Sequence, residues 1–365
     1  MKRFFIIALA LVLATGLLAG CSAPKEQSGS SQPQEQAGTQ QESQGYKLGL
    51  GIVTSIAKSK DAEGDTTAVG QVDSVIAAVL FDKDGKVVKV DIDTAQSRVN
   101  FDKDMKVTSD KTAEVQTKKE LGDKYGMGKV SSIGKNWYEQ IAELEKWMVG
   151  KTVDEIKAMK VKARDAEHPA VPDVPELTSL VTITVQDYIA AVEKAYQNAV
   201  EVKDAEKLGM GHVVSIAKSK DYSVDAQGKE TLPVAQADCV VAAVAFDKDG
   251  KVAGVLIDNA QTRVSFDKNG KVTSDKTAPI KTKKELGDAY GMGKVSSIGK
   301  NWYQQIAELE KWMVGKTVDE IKAMKVKARD EEHPAVPDVP ELTSLVTITV
   351  QDYIAAVAEA YANAK

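Results

Sequence analysis

The feature that most constrains this chain is that it is written twice. Tyr46 to Val200 and Leu208 to Lys365 align at an offset of 165 residues over most of their length. Between Lys118 and Val192 the copies differ at three positions only, Lys124/Ala289, Glu139/Gln304 and Ala166/Glu331. The N-terminal parts differ more, and the second copy carries five extra residues near Tyr222 to Pro233. A repeat this long is a domain and not a solenoid unit, which predicts two tandem domains, residues 46–203 and 204–365.

Each copy opens with strand signals. Val75 to Phe81 is an unbroken apolar run, and Lys86 to Ile92 alternates apolar and polar residues. Asp82-Lys83-Asp84-Gly85 between them is a hairpin turn signal. It matches the start of a calcium loop, but the further ligands and the distal Glu of that pattern are missing. The second half of each copy is helical. Trp137, Ile141, Leu144 and Met148 recur at helical spacing, which also assigns Trp137, Trp147, Trp302 and Trp312 to core packing. Thr152 to Glu155 is a capping-box opening for a short helix to Met159. A proline-rich loop runs from His168-Pro169 to Pro175. The last helix is expected over about residues 185–200, capped by Thr184, with Tyr188, Ile189, Val192 and Tyr196 on one face. The predicted class is α+β, an antiparallel, hairpin-rich sheet with helices packed on one side.

Before the repeat stands an address. Lys2 and Arg3 precede an apolar run from Phe4 to Leu18, which is short for a membrane span and ends in small residues before Cys21. Leu18-Ala19-Gly20-Cys21 resembles the lipobox of bacterial lipoproteins. That resemblance implies removal of residues 1–20 as a signal peptide and diacylglycerol on the Cys21 sulfur. Residues 21–45 then form a polar, flexible tether, too poor in apolar side chains to offset the entropy of ordering.

Charge and composition exclude several classes. A net charge of -5 speaks against a nucleic-acid partner, which would favour a basic face. Three histidines and two cysteines leave few routes to a zinc or iron–sulfur site. Cys239 aligns with Ser74, so it reads as a small buried residue rather than a catalytic one. His168 and His333 have no evident Ser or Cys partner for a triad.

Glu176-Leu177-Thr178-Ser179-Leu180-Val181-Thr182 leads into the last helix, and Glu341 to Thr347 repeats it. A hydroxyl just before a helix N-terminus sits beside unpaired N–H groups, where a phosphate would be stabilised. From spacing alone the segment also reads as a Thr-rich edge strand ending in a cap. The residues resemble the acceptor motif of covalent FMN-binding domains: an acidic residue, two variable positions, then Ser-Gly-Ala-Thr. Asp93-x-Ala95-Gln96-x-Arg98, Tyr125-Gly126-Met127 and Ser131-Ser132-Ile133-Gly134-Lys135-x-Trp137-Tyr138 also match the framework. Together they resemble the two-domain flavinylated surface lipoproteins of Gram-positive bacteria, which serve extracellular electron transfer.

The resemblance implies two covalent FMN groups, attached through their phosphates by a flavin transferase to Thr182 and Thr347, with Ser179 and Ser344 close by. It also implies lipid anchoring on the extracytoplasmic face of the cell membrane, a membrane redox donor and an extracellular acceptor such as ferric iron or a partner reductase. The chain departs from the pattern by placing Glu where Asp is usual and Leu-Val where Gly-Ala is usual. Tyr125, Met127, Tyr290 and Met292 are candidates to lie against the flavin ring, and the glycines beside them either admit a ligand or shape a structural loop. Arg98 and Arg263 are candidates for its N1 edge or plain surface arginines. Two alternatives remain on sequence grounds: a cofactor-free binding or adhesive lipoprotein, and a flavin-dependent reductase of one specific substrate.

Overall fold

Residues 45–365 are described by a computed structural model of the chain; the signal segment, Cys21 and nearly all of the tether lie outside them. In the first copy, β1 (Gly45–Ser55), β2 (Val69–Phe81) and β3 (Val87–Asn100) form an antiparallel meander. The turn at residues 82–85 closes as its residues suggest. Asp82 Oδ1 accepts the N–H groups of Asp84 and Lys86, each at 2.9 Å, and Gly85 takes φ 77°. Next come α1 (Lys118–Leu121), α2 (Trp137–Met148) and α3 (Val153–Lys157), then the short pair β4 (Val161–Lys162) and β5 (Val171–Pro172). Helix α4 (Gln186–Gln197) follows, and β6 (Val200–Lys203) pairs with β1, giving the order β3-β2-β1-β6.

The second copy repeats this with β7 (Lys207–Ser215), β8 (Ser223–Val224), β9 (Glu230–Thr231), β10 (Val234–Phe246) and β11 (Val252–Ser265). Its helices are α5 (Lys283–Leu286), α6 (Trp302–Met313), α7 (Val318–Lys322) and α8 (Gln351–Ala362), with β12 (Val326–Lys327) and β13 (Val336–Pro337) between the last two. Its main sheet is ordered β11-β10-β7. The extra residues of this copy fold into the β8–β9 hairpin.

The helical spacing holds. Trp137, Ile141, Leu144 and Met148 are all buried, and Asn136 and Glu139 close a capping box at the start of α2. Trp147 is partly buried at the core edge, with the Lys151 ammonium 4.4 Å from its ring centre. Two expectations for the last helix fail. Val185 occupies the N-cap without a side-chain bond, so Thr184 is not the cap, and Val200 belongs to β6. Tyr196 is 41% exposed, although its ring stands edge-on to Phe81.

Strand β2 explains why its apolar run does not alternate. Val75, Ala77, Val79 and Phe81 pack under the helices, whereas Ile76, Ala78 and Leu80 join a core shared with the other sheet. In β10, Val240, Ala242, Val244 and Phe246 face helices, while Cys239, Val241, Ala243 and Ala245 face the shared core. The molecule is therefore layered helix, sheet, sheet, helix, and the described residues fall in one compact unit. Burying a side chain such as Ile76 is worth about 1.5–3 kcal/mol, so this shared core binds the copies strongly.

The copies pack about a pseudo-two-fold axis. Phe101 stacks on its own counterpart, Phe266, with ring centres 5.1 Å apart. Asp221 accepts the Val107 N–H at 2.8 Å, and Asp61 returns the contact to Val272 at 2.9 Å. Gly70 meets its counterpart here too: a Cβ on it would lie 2.2 Å from the Ala235 Cβ.

Candidate functional site

The motif around Thr182 is a tight turn rather than an edge strand. Thr178 Oγ1 donates to the Val174 carbonyl at 2.7 Å, and the Leu177 and Val181 N–H groups close further bonds within the turn. Leu177 and Val181 are buried, and Leu180 packs partly against the same core. The branched Val181 is thus taken up by the core, while Ser179 is exposed.

Thr182 is held from two sides. Gln140, fully buried on α2, accepts the Thr182 N–H at 2.9 Å and its hydroxyl at 3.3 Å through Oε1. Gln140 is itself anchored, its Nε2 donating to Ser131 Oγ at 3.2 Å and the Lys135 carbonyl at 3.1 Å. Arg164 Nη1 donates to the Thr182 carbonyl at 2.8 Å, and Nη2 lies 2.5 Å from His168 Nδ1. The second copy repeats both contacts: Gln305 holds the Thr347 N–H at 2.8 Å, and Arg329 the Thr347 carbonyl at 2.9 Å.

Ile183, Thr184 and His168 carry this turn into the wall of a cleft of about 380 Å³, which Lys118, Tyr125, Met127 and Trp137 also line. A second groove of about 480 Å³ shares Lys118, Tyr125 and Met127 and runs on past Arg98. The combined groove is of the size that small-molecule sites occupy, about 300–1,000 Å³. Of the residues singled out from sequence, Tyr125, Met127 and Arg98 line it; Thr182 does not, although the two residues that follow it, Ile183 and Thr184, do. Ser179 is not among the lining residues. Tyr290, Met292 and Arg263 hold the matching positions in the second copy, and Ser344 is exposed like Ser179.

The glycines of Tyr125-Gly126-Met127-Gly128 shape the loop, and Gly126 also lines the second groove. Gly126 takes φ 78°, and a Cβ on Gly128 would lie 2.7 Å from Asn136 Oδ1, which accepts the Gly128 N–H. Arg98 is exposed, its Nε donating to Gln71 Oε1 at 3.0 Å.

A cation sits in the middle of the groove. The Lys118 ammonium lies 5.0 Å from the Tyr125 ring centre and 5.3 Å from that of Trp137. Burial pushes it down to about 8, with Asp73 opposing; Lys283 is pushed down to about 8 in the same way. Burial raises the Tyr125 phenol and the Asp187 carboxyl. Below them Trp137 Nε1 donates to Tyr188 Oη at 2.9 Å, closing the floor. Thr184 Oγ1 and its counterpart Thr349 Oγ1 are buried with no hydrogen-bond partner, a recurring orphan of the kind a ligand or ordered water satisfies.

Three pairs here went unread in the sequence. Lys118 and Lys283 sit inside Thr-x-x-Glu capping boxes, which read as solvated helix starts. Gln140 and Gln305 did leave a signal, a polar residue within the apolar stripe of a helix. Arg164 and Arg329 left none.

No protein-family model matches the chain, and no solved structure matches it. A chlorophenol reductase of Desulfitobacterium hafniense is similar, 30% identical over 168 residues that cover 34% of this chain and 50% of that protein. The chain thus spans about half the length of the curated relative it matches.

Proposed function

We propose that the chain is a membrane-anchored extracellular flavoprotein that carries one covalent FMN in each copy and relays electrons from a membrane donor to an extracellular acceptor. The observation that carries this reading is the Thr182 turn. Twice in one chain, a threonine is held by a buried glutamine at its N–H and hydroxyl and by an arginine at its carbonyl, and in the first copy the next two residues line the aromatic, cation-bearing groove. Attachment forms a phosphoester between Thr Oγ and the FMN phosphate. The hydroxyl loses its proton, and the remainder of an activated flavin donor leaves from phosphorus on the transferase.

The residues present fit such a group. Arg164 offers a guanidinium on the carbonyl of the same threonine. Tyr125 and Met127 offer an apolar wall, and Lys118 places a positive charge against it. Thr184 Oγ1 offers a buried hydroxyl still in need of a partner. Bound FMN would supply the one- and two-electron chemistry, and the chain's part is to hold, shield and tune it. Lipidation at Cys21 and the polar tether, proposed from sequence, would let both groups range out from the membrane.

The likeness to a protein named for reducing chlorophenols supports redox chemistry over a cofactor-free binding module. It also favours a second reading, a flavin-dependent reductase of one aromatic substrate, which predicts saturable turnover of that substrate by the flavinylated protein. The main reading is tested by co-producing the chain with a flavin transferase. Thr182→Ala and Thr347→Ala should each halve the covalent flavin, and together abolish it. Full flavin in the double variant would refute the assignment.

A further inference from the structure

The two copies meet at two pseudo-equivalent edges, and these are built differently. At one, Lys194 of α4 reaches across to the second copy, its ammonium 2.6 Å from Glu285 Oε1 and 3.0 Å from the Ile52 carbonyl. At the other, the counterparts of Lys194, Ile52 and Glu285 are Glu359, His212 and Glu120. The fixed cation is gone, and an imidazole and a second carboxylate have replaced it.

His212 is nearly buried, its side chain 5% exposed. Its Nε2 lies 3.5 Å from Asp93 Oδ2, and Asp93 is immobilised by the Thr94 N–H, the Lys119 N–H and the Thr117 hydroxyl. With Nε2–H directed at that carboxylate, Nδ1 is left facing Glu359 Oε1 at 3.3 Å and Glu120 Oε2 at 3.9 Å. The three ligand atoms lie within 4.8 Å of one another. Among the described residues, no lysine or arginine pairs with Glu120 or Glu359. Two carboxylates facing one imidazole nitrogen call for a positive charge there, either a proton on Nδ1 or a metal ion held between all three.

We propose that Glu120, His212 and Glu359 bind one divalent transition-metal ion, with His212 coordinating through Nδ1, and that the ion joins the two copies. One nitrogen and two carboxylate oxygens suit zinc or cobalt, with solvent completing the shell. Asp93 is the outer carboxylate that orients a ligating histidine. The ion does at this edge what the Lys194 ammonium does at the other, so it ties residues of the first copy to residues of the second.

The test is a cobalt titration of the full chain after chelation, followed by visible absorption, with thermal unfolding in zinc as a second readout. The wild type should bind one Co²⁺ per chain with ligand-field bands, and zinc should raise its unfolding temperature. His212→Ala should weaken binding at least tenfold. Glu359→Lys, which copies the residue of the other edge and so keeps the fold, should remove both the bands and the zinc shift. Lys194→Ala should leave both unchanged. Absence of binding in the wild type, or equal binding in His212→Ala, would overturn the proposal and make His212 a protonated ion-pair partner instead.

Discussion

The two copies share their grooves and differ at their seam. Lys118, Tyr125, Met127, Gln140, Arg164 and Thr182 recur as Lys283, Tyr290, Met292, Gln305, Arg329 and Thr347, with like distances around the threonine. Where the copies touch, Ile52 faces His212 across the pseudo-symmetry, Lys194 faces Glu359, Asp91 faces Leu256 and Gly70 faces Ala235. The difference follows from position. A groove opening outward can be built twice from the same parts. Near an axis inside one chain a residue can meet its own duplicate, which Phe101 and Phe266 do as identical rings and Gly70 and Ala235 do only because one of them lacks a side chain.

The largest break in the comparison should come at a partly buried lysine of α1. Lys119 pairs with both Asp91 and Glu145, and Glu145 also accepts the Ile92 N–H at 2.7 Å. Lys284 pairs with Glu310 alone. Burial works to lower Lys119, but Glu145 and Asp91 outweigh it and hold the ammonium above its usual value. Lys119→Ala strands two carboxylates and should cost about 3–5 kcal/mol in denaturant unfolding, with Lys284→Ala costing less. Equal losses would show that Asp91 takes no part.

The axis itself comes next. Gly70→Ala should destabilise by about 1–3 kcal/mol, because its new methyl collides with Ala235. Adding Ala235→Gly should recover much of that loss, a coupling that a double-mutant cycle measures directly. Independent effects would mean the axis lies elsewhere.

The grooves should respond alike to pH. Lys118 and Lys283 fall to about 8 in the folded chain from an ordinary 10.5, so the unfolded state holds more protons between those values. Unfolding free energy should therefore rise with pH across that window. Lys118→Met with Lys283→Met should flatten the rise, and an unchanged slope would remove both lysines from the grooves. The smallest effect belongs to the single ion pair at the seam. Lys194→Ala breaks a partly buried pair, 30% and 26% exposed at its two ends, and should cost about 0.2–1 kcal/mol, reduced but not abolished in high salt.

How much of this was legible depends on whether a signal is local. Helix α2, the Asp82 to Gly85 turn and the cap at Thr152 were readable because their determinants lie within a few residues. The face-to-face sheets were not read. Their signal was present in Val75 to Phe81, where every residue is apolar because both faces are covered, but such a run does not say by what. At the candidate site, Thr182, Tyr125 and Met127 are singled out by resemblance alone. Lys118 was hidden in a capping box, and the gathering of His212 with Glu120 and Glu359 depends on the copies docking. Thr184 was misassigned because Val185 takes the cap position, its own N–H bonded to the Ala170 carbonyl at 3.0 Å, which leaves the threonine hydroxyl without a partner.

The most direct test of the central claim is the intact mass of the mature protein, made beside a flavin transferase and measured under denaturing conditions that release any loosely held flavin. The account predicts an increase of two FMN units, mapping to the peptides that contain Thr182 and Thr347. No increase, in cells where another acceptor protein is flavinylated, would contradict it.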